Sequence, residues 1–254
     1  MLEIVQIPVL TDNYVYLVRE PGSGAVGAVD PAVAEPVEAE LDRRRWRLTH
    51  VINTHHHADH TGGNLRLKSR YQATVVGPRA DRARIPGIDI DVGDGEDWAF
   101  GQESARVFDV PGHTSGHIAY WFRESRALFC GDTLFSLGCG RLFEGTPRQM
   151  WTSIGKLRAL PDDTRVYCAH EYTESNGRFA RTVEPGNADL MRRIDEVKRL
   201  RAAGKPTVPS LMGEERRANP FLRADQPSLA ANVGLSASDP VAVFAEVRRR
   251  KDVF

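Results

Sequence analysis

Short runs of alternating hydrophobic and polar residues dominate the earlier part of this chain, and helical spacing takes over toward its end. Residues 4–9, 14–19 and 24–29 read as three strands, separated by the turn material Thr11-Asp12-Asn13 and Pro21-Gly22-Ser23. Residues 35–46 place Val37, Leu41 and Trp46 on one helical face, with glutamates early in the segment. The apolar run 48–54 predicts a buried strand, 64–71 a short helix and 73–77 another strand, before a loop-rich stretch over 78–95. Strands are expected again at 105–110, 118–122, 127–130 and 165–169. Beyond about residue 176 the texture changes. Leu190, Met191, Ile194, Val197 and Leu200 form a helical stripe over 187–203, capped by Asn187 and followed by Gly204. Asp239-Pro240 opens a last helix to about 251, with Val243, Phe244 and Val247 inward. The pattern predicts an α/β domain over residues 1–172 and a helical addition over 173–254.

Composition narrows the class without naming a chemistry. Lysine plus arginine equals aspartate plus glutamate at 34 each, so no global field points to nucleic acid or to a membrane surface. No stretch approaches the length of a transmembrane span, and the first residues lack the basic leader and apolar run of a signal peptide. Cys130, Cys139 and Cys168 are odd in number and unpaired in spacing, which favours a reducing compartment. A cytoplasmic protein is expected. Gly22-x-Gly24-x-x-Gly27 matches a dinucleotide fingerprint in form only, because it runs on into a strand stopped by Pro31 rather than into a helix.

Chemistry concentrates in Thr54-His55-His56-His57-Ala58-Asp59-His60, followed by Thr61-Gly62-Gly63. Imidazole and carboxylate are ligands for zinc and related metals. If the backbone stays extended from the preceding strand, His55 and His57 share one side and His56 faces away. The glycine pair permits the backbone angles of a tight loop and close packing. Three later strands lead to further donors: 105–110 toward His113, 127–130 to Asp132 and 165–169 to His170. Donors at corresponding ends of neighbouring strands converge, so one site is expected from His55, His57 and His113 and another from Asp59, His60 and His170, with Asp132 shared between them. Two such ions hold a hydroxide nucleophile at neutral pH. Asp59 and Asp132 then carry catalytic as well as ligand duties.

The His-x-His-x-Asp-His motif, with the later His, Asp and His, resembles the metallo-β-lactamase superfamily, whose fold is a four-layered αβ/βα sandwich. Gly138 to Thr146, Ala169-His170-Glu171-Tyr172-Thr173, Val183 to Asn187, Pro206-Thr207-Val208-Pro209-Ser210, Asn219-Pro220-Phe221 and Arg248 to Asp252 together look like the glyoxalase II (hydroxyacylglutathione hydrolase) family. That resemblance implies hydrolysis of a glutathione thioester, S-D-lactoylglutathione, to glutathione and D-lactate, the second step of methylglyoxal detoxification. It implies two divalent metal ions, zinc first, with iron or manganese accepted by the same donors. It also implies that Arg141, Phe143, Tyr172, Arg248 and Lys251 contact the glutathione moiety. Lysine often stands where this chain has Arg141, and tyrosine where it has Phe143. A monomer without nucleic-acid or membrane partners is expected. The competing readings are a persulfide dioxygenase with one iron, a phosphodiesterase, and a non-catalytic protein pinned by zinc.

Several tempting residues have plainer explanations. His50 lies on the buried strand and reads as packed, His56 as structural, and His117 as serving the strand that follows it. Cys139 reads as a small packable residue. Arg248 to Lys251 alone would be a solvated helix end favoured by the helix dipole.

Overall fold

The structure is a computed structural model describing residues 1–254. It divides into two compact units, Met1–Asp109 with Ser115–Gly131, and Val110–Thr114 with Asp132–Phe254.

In the first unit, β1 (Glu3–Val9), β2 (Asn13–Arg19) and β3 (Val26–Val29) pair antiparallel around tight turns. Beyond β3 the connections become crossovers. Helix α1 (Glu35–Arg44) returns the chain to β4 (His50–Ile52), and α2 (Ala58–Thr61) with α3 (Asn64–Tyr71) return it to β5 (Thr74–Pro78). Strands β3, β4, β5 and β6 (Ile90–Val92) run parallel, with Ala28 opposite Val51 and Val51 opposite Val75. Val37 and Leu41 of α1 and Leu67 of α3 close one face of this sheet over Val15, Leu17, Val51 and Val75.

A second sheet in the same unit is an antiparallel meander of β7 (Asp97–Phe100), β8 (Glu103–Asp109), β9 (Ile118–Phe122) and β10 (Ala127–Gly131). It meets the first through aromatic rings. Tyr16 lies 5.6 Å from Phe129, and His50 sits edge-on to Trp98 and Phe100. Burial of that imidazole lowers its pKa, so His50 is packed, as expected.

Two expectations need correction here, and one strand lies where none was expected. The strand expected over 48–54 stops at Ile52, and the backbone N–H of Thr54 turns to Asp30 Oδ1 at 2.8 Å. The stretch 78–95 carries β6 and a 3₁₀ turn at Arg79–Asp81. Strand β7 went unread although Trp98 and Phe100 alternate with exposed Asp97 and Ala99, because four residues give too short a period to stand out.

In the second unit, β11 (Leu134–Phe135) and β12 (Gly138–Cys139) form a small hairpin, followed by α4 (Pro147–Arg158) and β13 (Arg165–Cys168). Helices α5 (Thr173–Val183) and α6 (Ala188–Ala202) follow. Strand β14 (Ser210–Leu211) pairs antiparallel with β13. The unit finishes with α7 (Met212–Ala218), α8 (Pro227–Val233) and α9 (Pro240–Asp252). Helix α6 starts as expected, with Asn187 accepting from the N–H of Leu190. Its buried face includes Arg193 beside Leu190 and Val197, which hydrophobic spacing alone does not foresee. Helix α4 was missed despite a legible start: Thr146 and Gln149 form a reciprocal capping box around Pro147, and Met150, Ile154 and Leu157 fall on one face. The α9 ring of Phe244 lies 6.0 Å from Trp151 of α4.

Candidate metal centre

Parallel strands deliver loops at their carboxyl ends, and the donors of the first unit sit there. Asp30 follows β3 in a left-handed backbone conformation (φ 48°), which aspartate tolerates better than most residues. It accepts from both the N–H (2.8 Å) and the hydroxyl (2.7 Å) of Thr54, after β4. Because the single hydroxyl proton of Thr54 is spent on Asp30, Thr54 Oγ1 accepts from His55 Nδ1 at 3.1 Å. Asp30 Oδ2 also lies 3.1 Å from His60 Nδ1. Nδ1 of His55 is thereby occupied, leaving its Nε2 with a lone pair, while the Asp30 carboxylate faces Nδ1 of His60. His55 Nε2 stands 3.1 Å from His57 Nδ1, and His60 Nε2 stands 3.6 Å from Asp59 Oδ2. Asn13 donates to that same Asp59 oxygen at 3.0 Å.

His56 turns the other way and bonds Asp81 Oδ2 at 2.9 Å, so the alternation inferred from an extended backbone holds. Buried Asp81 also takes Arg84 Nε at 3.0 Å, and Arg84 Nη2 reaches Ser115 Oγ at 2.9 Å. His117 gives a ring contact: its imidazole stacks on His55 with centroids 4.5 Å apart. Gly62 and Gly63 have ordinary negative φ values (−60° and −84°), so loop angles are not why glycine is needed. A Cβ on Gly62 would lie 2.4 Å from the carbonyl oxygen of Ala32, so close packing is the reason.

The second unit gathers the later donors around Asp132. Its Oδ2 lies 3.4 Å from His113 Nε2 and its Oδ1 lies 3.4 Å from His170 Nε2. His113 Nδ1 donates to the carbonyl of Arg141 at 2.9 Å, which again leaves Nε2 as the donor atom for a metal. Gly140 makes this possible, since a Cβ there would meet the Asp132 carbonyl oxygen at 2.0 Å. His170 is sandwiched against Tyr172 (4.8 Å, rings within 4° of parallel) and meets Phe135 edge-on at 5.9 Å.

The donor chemistry fits metal ions. Two ligands about 2.0–2.2 Å from one tetrahedral ion stand about 3.3–3.5 Å apart. The 3.4 Å spacings around Asp132 match that figure and exceed the ~2.7–2.9 Å of a charge-assisted hydrogen bond. Clusters of histidine and aspartate able to hold an ion recur in the chain, including Asp30, His55 and His60.

The residues expected to meet a thioester's glutathione lie in the second unit. Phe143 is 62% exposed, with its ring 5.1 Å from His113, and its N–H donates to the His113 carbonyl. Tyr172 is 37% exposed. Arg141 is exposed in the same loop as Phe143. Arg248 departs from a solvated helix end: it is 5% exposed, donates to the carbonyl of Cys139 at 2.9 Å and pairs with Asp252 at 2.8 Å. Lys251 lies over the rings of Phe179 and Phe254. Burial, then the neighbouring charges of Arg248, Arg178 and Arg141, push its pKa down to about 8. Cys139 and Cys168 are pushed up by burial to about 11 and about 12, so both remain thiols. Asp30, Asn13 and Arg178 were missed from the sequence. Asp30 carries a signal in the sequence, since it ends a strand as Asp132 does.

Residues 10–170 match the metallo-beta-lactamase superfamily profile, and residues 171–254 match the hydroxyacylglutathione hydrolase C-terminus profile. The chain is 63% identical over 254 residues to a hydroxyacylglutathione hydrolase of Methylococcus capsulatus, covering 100% of this chain and 99% of that one. It is 55% identical over 253 residues to the hydroxyacylglutathione hydrolase of Rhodospirillum rubrum, with the same coverage. Among solved structures, ETHE1 from Myxococcus xanthus superposes with a TM-score of 0.70 at 25% identity, over 98% of this chain and 90% of that one. The metallo-beta-lactamase fold expected from the sequence, with its helical C-terminal portion, is therefore the fold of this chain.

Proposed function

The chain belongs to the hydroxyacylglutathione hydrolase family of the metallo-beta-lactamase superfamily, and on that footing we propose that it hydrolyses S-D-lactoylglutathione and related 2-hydroxyacyl thioesters. The observation that carries this reading is the match along the whole chain, including 171–254, where Tyr172, Arg248 and Lys251 lie. It favours a thioesterase over the dioxygenase, phosphodiesterase and zinc-pinned alternatives.

In this reading His55, His57 and His113 would hold one ion and Asp59, His60 and His170 another, and Asp132 would serve as a ligand at the same centre. The ions supply Lewis-acid activation of water and of the thioester carbonyl. The protein's own part is to present donor atoms already oriented. The Thr54 hydroxyl fixes His55, the Arg141 carbonyl fixes His113, and the Asp30 carboxylate sits beside His60 Nδ1. Asn13 holds Asp59 in place. Arg141, Arg248 and Lys251 supply positive charge for the carboxylates of glutathione, while Tyr172 and Phe143 offer ring faces to its apolar parts. The departing thiolate has a pKa near ~8.5 and leaves without a strong general acid.

Residues 1–172 act as the catalytic portion and 173–254 as the portion completing the glutathione site. Zinc is the first candidate metal, with iron and manganese behind it. No helix is long and apolar enough to cross a membrane, and we place the activity in the cytoplasm of a monomeric protein. The test is thiol release from S-D-lactoylglutathione with metal content measured on the same sample. Thiol release with about two metal ions per chain is expected; metal-loaded protein that releases no thiol would refute the assignment.

A further inference from the structure

In two motifs of this sequence, Ala169-His170-Glu171-Tyr172-Thr173 and Pro206-Thr207-Val208-Pro209-Ser210, Glu171 and Thr207 have no role in the site so far. The structure locks them together. Glu171 lies in the chain between His170 and Tyr172, whose rings stack on each other, and its carboxylate is taken up by Thr207. It accepts the N–H of Thr207 at 2.8 Å on Oε2 and meets the Thr207 hydroxyl at 2.5 Å on Oε1. The Thr207 hydroxyl also lies 2.6 Å from that of Thr173. One hydroxyl proton cannot serve both neighbours, and a carboxylate only accepts. Thr207 therefore donates to Glu171, and Thr173 donates to Thr207.

The clasp is anchored on firm ground. Thr207 and Thr173 are buried, and the Thr207 carbonyl accepts from Arg193 Nη2 at 2.7 Å. Arg193 is itself held on the buried face of α6 between Leu190 and Val197. Arg201, the other cation near Glu171, stands 3.7 Å away and holds it only loosely. The segment carrying His170 is thus tied to a connector distant in sequence by two short hydrogen bonds.

We propose that Thr207, acting through Glu171, is a positioning residue that sets the His170 imidazole and the Tyr172 ring. This rests on the thioesterase reading above for its functional consequence, but its first consequence is for metal affinity, which can be read separately. Supporting groups around a metal ligand typically alter affinity by about 10–100-fold.

The experiment titrates zinc against a chelating dye in the full chain and measures kcat and KM on S-D-lactoylglutathione. Thr207→Val removes the hydroxyl and little else. Zinc affinity at the site holding His170 is expected to fall at least about tenfold, with lower kcat. Thr207→Ser should restore both affinity and kcat. Unaltered zinc affinity in Thr207→Val, or a loss that Thr207→Ser does not repair, would overturn the proposal. If Thr207→Val does not fold, Glu171→Gln carries the test, since its amide can accept from only one of the two Thr207 donors. Unaltered affinity there is equally fatal. Wild-type protein that binds zinc without releasing thiol would sink the thioesterase reading and leave the affinity comparison standing. Wild-type protein that binds no zinc would sink both.

Discussion

In the first unit, His55, His57, Asp59 and His60 arrive within six consecutive residues, whereas the second unit assembles His113, Asp132 and His170 from three separate loops. The first group is set by local backbone and chiefly by one buried carboxylate, Asp30, which faces Thr54 and His60 together, with Asn13 on Asp59. The second depends on contacts from further along the chain, the Arg141 carbonyl for His113 and the close approach allowed by Gly140, with the Tyr172 stack on His170 as a local addition. The lesson is that a dense motif can be preorganised by a single neighbour, while a dispersed one needs the whole unit folded around it.

The sharpest way to break this comparison is to remove the carboxylate that faces two imidazoles. Asp132→Ala should lower kcat/KM at least about 10³-fold and reduce the metal count per chain. Near-normal turnover would rule out a shared ion pair. The corresponding cut in the first unit is Asp30→Asn, which leaves every donor in place. It should weaken metal binding and turnover by about 10–100-fold, measured by chelator competition and thiol release. A smaller effect than that of any second-unit support would contradict the view that one residue preorganises the motif.

Lys251 sharpens the substrate side. Its pKa, lowered to about 8 by burial and by Arg248, Arg178 and Arg141, means the ammonium is present below pH 8 and lost above it. Asp252 opposes the shift. A carboxylate partner is then lost as pH rises, so KM should increase several-fold through pH 8 while kcat holds. Lys251→Met should remove that inflection. The mildest test is Thr146→Ala at the start of α4, expected to cost about 1 kcal/mol of stability in denaturant titration and to leave turnover unchanged.

The contrast also explains what could be read from the chain. The alternation that separates His56 from His55 and His57 follows from backbone geometry alone, and the structure has it, with His56 on Asp81. Strand ends pointed to His113, Asp132 and His170 because each follows a short apolar run. The supports were harder. Asn13 sat in what looked like turn material, and Arg193 carries a charge on a face that hydrophobic spacing reserves for apolar groups. Arg248 is similar: a charged residue in a basic run reads as solvated until the Cys139 carbonyl that receives it is known. Hydrogen-bond partners distant in sequence leave no periodicity behind.

The sealed cysteines carry a consequence for the setting of this chemistry. Cys130, Cys139 and Cys168 are all buried, and Cys139 and Cys168 stay protonated at any physiological pH. A catalyst that liberates a tripeptide thiol bathes itself in product that could form mixed disulfides whenever the surroundings turn oxidising. Exchange requires an accessible thiolate, and neither Cys139 nor Cys168 offers one, so the product finds nothing on those sulfurs to couple with.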